Sequence, residues 1–528
     1  MKILVAEPIA QAGFDLLAAV PGWTVIQADP KTYQEHLFDC DALLVRSAVK
    51  VNAELIKKAP KLRVVGRAGV GVDNVDLQAA TNGGILVMNT PGGNAISVAE
   101  HTVGLMLAMA RSIPNASQST KAGKWEKRKF IGTELRGKTL GVAGLGSIGR
   151  EVVLRARNFG MRIIAADPYV STQQAEDLSV MLVDLNTLFA QSDYITLHVA
   201  LTPETTKMIN TESIAKMKDG ARIVNCARGE LVDLDDLLKG LDSGKLGGAA
   251  LDVFDPEPLP ADHPLLKQPN LIATPHIGGS TEEAQEIVGI RIAEQVAEYL
   301  QNGIAINAVN MPALSPEQYR ALGPYISLAE RLGTFASFIS DSNPVMVRFT
   351  YAGRVAELNT TLVRNAGLSG LLQRSLASKA NLINAMQIAA DRGLNINENH
   401  LLRSGHSDSI RIEVETSAGK TSVEGAVILD KPRLLNVDGI YCEAPLDGYL
   451  LYLKNLDVPG VIGYIGTVMG KNGINIANFS LGREESASQE GGHAKATAII
   501  SCDAAVPEHV LAQLLENPNI RQARNIEF

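Results

Sequence analysis

Cysteine is scarce in this 528-residue chain. Its four copies, Cys40, Cys226, Cys442 and Cys502, stand at no metal-ligand spacing, which points to a reducing cytoplasm. An excess of positive charge is also lacking: 49 Lys and Arg against 57 Asp and Glu leave a formal charge of −8, which argues against a nucleic-acid partner. No apolar run reaches the roughly 18 residues that span a bilayer, so no membrane partner is expected. The opening Met1–Pro8 is interrupted by Glu7 and Pro8 before a signal-peptide core forms, and reads as a first β-strand. Disorder bias is absent too, with 46% hydrophobic and 20% charged residues. A chain this long exceeds one core and fits about three or four domains.

Strands and helices alternate through the first part, with short apolar strands at Ile3–Ala6, Leu43–Val45, Val64–Val65 and Ile85–Met88. Ser97–Ala110 reads as a buried helix, stopped by Arg111 and Pro114. Thr139–Gly144 is an apolar strand running into Gly144-Leu145-Gly146-Ser147-Ile148-Gly149, followed by a helix and by the strand Arg162–Ala166. Further alternation through Ile195–Val199, Arg222–Asn225, Gly248–Val253 and Leu271–Thr274 predicts a Rossmann-like, doubly wound parallel sheet. Ser280 and Glu283 are expected to form a capping box for a helix ending at Gly303. Ser315-Pro316 opens another helix, and residues to about 445 mix helices with strands at Ile410–Thr416 and Ser422–Leu429. From Gly448 the order β-α-β-β-α-β predicts a ferredoxin-like unit, with Ser486–Gly492 as a polar hairpin connection.

Three glycines at a strand-to-helix turn suit a dinucleotide. Gly144 permits the turn, Gly146 admits a pyrophosphate, and Gly149 lets the helix pack on the sheet. Asp167, at the end of the next strand and with no arginine following it, favours NAD over NADP by accepting from ribose hydroxyls. Arg228, in Asn225-Cys226-Ala227-Arg228-Gly229, follows a strand at the edge where such sheets bind ligands, and its guanidinium suits a carboxylate. Cys226 in the same turn raises the alternative of a catalytic thiol. Glu257 and His276 lie on successive loops and suit a general base oriented by a carboxylate, as oxidation of a hydroxy acid requires. Arg46, Ser47, Arg67 and Asn94 are candidates for the far end of an anionic substrate.

Arg46-Ser47, Val64–Asn74, Asn89-Thr90-Pro91, Asn225–Gly229, Ala250–Phe254 and Pro275–Ser280 resemble the motifs of the D-2-hydroxyacid dehydrogenase family, in its 3-phosphoglycerate-oxidising branch. The likeness runs over essentially the whole chain. It implies His276 as base, Glu257 as its partner and Arg228 as substrate anchor. NAD contacts are implied for Gly144, Gly146, Ser147, Ile148, Gly149, Asp167, Cys226, Ala227, Arg228, Asp252, His276 and Gly278. The implied substrate is 3-phosphoglycerate, entering L-serine synthesis.

The same resemblance implies an α/β substrate domain at 1–97, completed by 285–312, around an NAD domain at 98–284. An α+β intervening domain at 315–446 and an ACT domain at 448–528 would follow. In that last domain L-serine would be an effector held by Asp457 and Asn475, although Asn455 stands where a close relative has tyrosine. A homodimer or homotetramer is expected. Alternatives are another D-2-hydroxyacid dehydrogenase or a non-catalytic NAD-binding corepressor.

Overall fold

The computed structural model describes residues 1–29, 31–312, 314–375, 380–402, 408–484 and 494–528. Two parallel sheets make the first half. The smaller has five strands in the order Thr24–Gln27, Lys2–Val5, Ala42–Val45, Val64–Arg67 and Leu86–Met88. Its middle strand Ala42–Val45 is apolar and buried at every position because both faces are covered, as parallel connections require. The larger has seven strands in the order Leu271–Ala273, Leu246–Leu251, Ala221–Asn225, Tyr194–Leu197, Thr139–Ala143, Arg162–Ala166 and Met181–Leu182. All seven strands run parallel, and successive strands are added first on one side of Thr139–Ala143 and then on the other, so the carboxyl end of that strand is the switch point where such sheets take ligands.

The apolar segment expected as a buried helix is one, at Ala95–Ala110, packed on the helix Ser147–Asn158. The long helix Glu282–Asn302 then leaves the larger sheet and returns to the smaller. There Val288, Ile292 and Val296 join Val5, Val64 and Met88 in one core. Its cap differs from the Ser280–Glu283 box. Thr281 is the N-cap, accepting from the N–H of Ala284, and its Oγ1 also lies 2.7 Å from Ser97 Oγ. Ser280 is engaged instead in the preceding turn, where its N–H donates to Ile277 O. Gly303 ends the helix in the left-handed region, φ 73°, as expected.

Beyond Ser315, whose side chain forms a capping box with Gln318, the helix Pro316–Ile339 packs on a six-stranded mixed sheet. The order there is Asn395–Leu401, Pro344–Ala352, Ser409–Thr416, Gly419–Ile428, Lys431–Val437 and Ile440–Pro445. Four of these strands escaped the sequence reading, and the fourth in order ends before Leu429. That residue and Asp430, φ 50° and 58°, form the hairpin turn. The last four-stranded antiparallel sheet, Ile476–Arg483, Lys495–Cys502, Tyr449–Leu456 and Ile520–Glu527, has the expected ferredoxin-like order. Its helices Val461–Lys471 and Glu508–Leu515 bury Val468 and Leu514 against Leu451 and Leu453. The connection expected at Ser486–Gly492 lies outside the described residues.

Candidate functional site

At the switch point the strand Thr139–Ala143 ends in Gly144, whose φ of 94° favours glycine. A Cβ there would lie 2.5 Å from His198 O, and one on Gly149 would lie 2.1 Å from Gly144 O. Nothing lies within 4 Å of a Cβ built on Gly146. The protein's own packing therefore does not demand that glycine, and the space it leaves suits a phosphate at the helix N-terminus. Asp167 is locked beside this turn: Oδ2 accepts from the N–H of Leu145 at 2.8 Å and Oδ1 from that of Tyr169 at 2.9 Å. Ser147 opens the helix and Ile148 lines the adjoining cleft.

That cleft, of about 430 Å³, lies between the two parallel sheets. Arg67, Asp73 and Asn94 line one wall; Ile148, His198, Cys226, Ala227, Arg228, Asp252, His276 and Gly278 line the other. Its loops are shaped by buried polar groups. Asn225, fully buried, accepts from the N–H of Ala227 and donates to Arg228 O, folding the turn that presents the guanidinium. Glu7 accepts from the N–H groups of Arg46, Ala48 and Val49, and Asn74 donates to Arg46 O. Asn89 donates to Val70 O at 2.6 Å, holding the turn after Arg67. Glu7 was read in the sequence only as an interruption of an apolar run.

His276 and Glu257 are in contact, with Nδ1 2.8 Å from Oε2. Glu257 Oε1 is held separately by the N–H of Phe254 at 3.0 Å. The His276 backbone has φ 55°, a region that non-glycine residues visit sparsely. Asp252 maintains it: its carbonyl accepts from the N–H of His276, and its carboxylate accepts from the N–H groups of Ile277 and Gly278 and from Thr274 Oγ1. His101 Nε2 stands 3.3 Å from the same carboxylate. Burial raises the Asp252 pKa, but these partners outweigh it and hold the carboxyl below its usual value. His101 was not singled out in the sequence and Thr274 was read only as a strand end, since only the tertiary fold brings the three together.

The arrangement can bind an anion and move a proton. Arg228 and Arg67 face the cleft, and both Arg67 Nε and Asn94 Oδ1 are buried without a hydrogen-bond partner. Arg46 and Ser47 are not among the residues lining it; Arg46 is close enough only for its charge to act on Arg67. Cys226 is buried, and burial pushes its thiol up to about 12, so it is a protonated wall residue and not a nucleophile. In the last sheet, Asp457 pairs with Arg483 at 3.3 Å and Asn475 donates to Asp503 at 2.9 Å, so each already has a partner.

Comparison with known proteins finds relatives over the whole chain. Residues 103–278 match the D-isomer specific 2-hydroxyacid dehydrogenase NAD binding domain, and residues 321–438 match the D-3-phosphoglycerate dehydrogenase intervening domain. The D-3-phosphoglycerate dehydrogenase of Methanocaldococcus jannaschii is 45% identical over 530 residues, covering 100% of both chains. That of Bacillus subtilis is 36% identical over 529 residues, covering 100% of this chain and 99% of its own. Among solved structures, the TT0316 protein of Thermus thermophilus is 35% identical with a TM-score of 0.54, covering 58% of this chain and 100% of that one. The NAD-dependent formate dehydrogenase of Staphylococcus aureus, solved in complex with NAD, is 32% identical with a TM-score of 0.52, covering 58% and 98%.

Proposed function

The chain belongs to the D-3-phosphoglycerate dehydrogenases, NAD-dependent oxidoreductases among the D-2-hydroxyacid dehydrogenases, and from that premise we propose how its residues oxidise 3-phospho-D-glycerate to 3-phosphohydroxypyruvate. Arg228 binds the C1 carboxylate and steadies the C2 oxygen, while Arg67 and Asn94 meet the substrate's other polar end. Glu257 accepts from Nδ1–H of His276, so Nε2 of this cleft-lining ring keeps a free lone pair. That nitrogen takes the C2 hydroxyl proton. Bound NAD supplies the hydride acceptor at C2. The glycine turn, Asp167, Cys226, Ala227, Asp252 and Gly278 hold the cofactor, with Gly146 leaving the room that its pyrophosphate needs.

The 2.8 Å contact of Glu257 with His276, which lines the same cleft as Arg228, carries this reading. NADH formation from 3-phosphoglycerate tests it. His276→Ala is expected to lower turnover by about 10²–10⁴-fold while leaving NAD binding largely intact. Wild-type turnover in that variant would remove His276 as the base.

The product feeds L-serine synthesis, and L-serine is the effector we assign to the last domain. There the helix Val461–Lys471 opens at Gly460, φ 94°, beside Asp457. The amino acid would displace Arg483 from Asp457 and Asp503 from Asn475. We also assign a homodimer or homotetramer and a cytoplasmic location, the latter resting on four unpaired cysteines. No helix among the described residues is long and apolar enough to cross a membrane. A serine titration of turnover and the mass of the particle in solution test these assignments.

A further inference from the structure

Asp73 has no part in the scheme above, yet it is the carboxylate that Arg228 holds across the cleft. Asp73 Oδ2 stands 3.1 Å from Arg228 Nη2, and Oδ1 accepts from Nε at 3.4 Å. The two residues are 155 positions apart and come from opposite walls. One lies on the turn after Val64–Arg67, the other on the loop after Ala221–Asn225. The turn is shaped for this pairing. A Cβ on Gly71 would lie 2.2 Å from Arg228 Nη2 and 2.7 Å from Asp73 Oδ2, so a larger residue would push the pair apart.

Charge on the Asp73 wall is unevenly shared. Arg67 presents a buried Nε with no hydrogen-bond partner. Burial disfavours its charge, the Asp73 carboxylate offsets part of that cost, and the nearby Arg228 adds to it. Asp73 is thus both the ion-pair partner of Arg228 and the leading counter-charge of Arg67, with the Glu7 carboxylate and the Arg46 guanidinium acting more weakly, in a cleft open to an anion. The Asp73 side chain is 68% exposed, so it can turn to water without stranding its own charge.

We propose that Asp73 is a resident counter-ion that occupies Arg228 until the carboxylate of a 2-hydroxy acid displaces it. The proposal rests on the reading of Arg228 as the carboxylate anchor. Substrate binding then exchanges one arginine–carboxylate pair for another, and only the difference between them appears as affinity. An uncharged alcohol cannot make the exchange, so Asp73 filters for acids as well as keeping the cleft's charge balanced when it is empty.

Asp73→Asn removes the charge and keeps the shape, Asp73→Ser removes both, and Asp73→Glu keeps the charge. Two readouts apply: the KM for 3-phosphoglycerate at saturating NAD, and the calorimetric Kd of tartronate, a 2-hydroxy dicarboxylate, for the enzyme with NADH. Loss of a partly exposed competing pair predicts that both values fall about two- to fivefold in the neutral variants. The glutamate variant should stay close to wild type. Affinities that are unchanged or weaker in the neutral variants overturn the proposal, and so does tartronate that binds none of the proteins. Failure of the substrate reading looks different: wild type would form no NADH from 3-phosphoglycerate, while tartronate still bound more tightly to Asp73→Asn.

Discussion

Glu257→Gln exchanges one oxygen for an amide nitrogen, and the structure says what that does to the proposed base. In wild type the two carboxylate oxygens have separate tasks: Oε1 accepts from the N–H of Phe254 at 3.0 Å, and Oε2 is 2.8 Å from His276 Nδ1. A carboxylate only accepts, so Nδ1 carries the ring proton and Nε2 is free to take another. Glutamine has one oxygen for these two donors. If it stays on Phe254, the amide NH₂ faces Nδ1, and the ring proton is driven onto Nε2, the nitrogen that must receive the substrate proton. If the amide turns, two donors meet at Phe254.

Either way a charge-assisted hydrogen bond is lost, worth about 1.5–3 kcal/mol. At about 1.36 kcal/mol per tenfold in rate, that is roughly 10- to 150-fold. The His276 and Glu257 side chains are 54% and 38% exposed, so water screens the pair and the lower part of the range applies. We expect kcat for 3-phosphoglycerate oxidation to fall about 10- to 50-fold. A larger isotope effect with C2-deuterated substrate and an NADH affinity within about twofold of wild type would place the loss in the chemical step. A kcat within about threefold of wild type would refute the reasoning, because the amide cannot serve both donors as the carboxylate does.

Asp167→Ser should lower the ratio of kcat/KM for NAD over NADP at least about tenfold, and an unchanged ratio would remove Asp167 from ribose recognition. Burial pushes the thiols of Cys40, Cys442 and Cys502 up to about 11 and that of Cys226 to about 12, so a disulfide reagent at pH 8 should find almost no reactive thiol in the native protein and four after denaturation. Burial also pushes His198 down to about 3, with Nδ1 buried and unpartnered and Nε2 2.9 Å from Thr196 Oγ1. Its folded pKa lies below the unfolded value of about 6.5, so the unfolded chain binds the proton first and stability falls as pH drops from about 6.5 toward 3. His198→Gln should therefore lose less melting temperature than wild type between pH 7 and 5, and equal losses would contradict that assignment.

How much of this was legible depended on whether the cause of a feature was local. Gly144, Gly146 and Gly149 could be read because strand, turn and helix follow one another within a dozen residues, and Gly144 and Gly149 have packing reasons that travel with the sequence. Arg228 and His276 could be read for a related reason: both follow apolar strands, and ligands gather where parallel strands end. The cap of Glu282–Asn302 slipped by one residue because Ser280 and Thr281 are chemically alike. What marks Thr281 out is its contact with Ser97, which is distant in sequence.

The strands Pro344–Ala352 and Asn395–Leu401 were missed for a similar cause. They pair in parallel across a long excursion, and the second is mostly exposed, so it lacks the apolar alternation that announces a strand. The same distinction separates the reacting groups from what holds them. Asp252, His101 and Thr274 converge from different elements to fix the His276 backbone, and Asp73 meets Arg228 from the opposite wall. A side chain whose role is to act on substrate must sit in a motif that delivers it. One whose role is to hold another side chain can come from anywhere that the fold brings near, and that half of this site appears only in three dimensions.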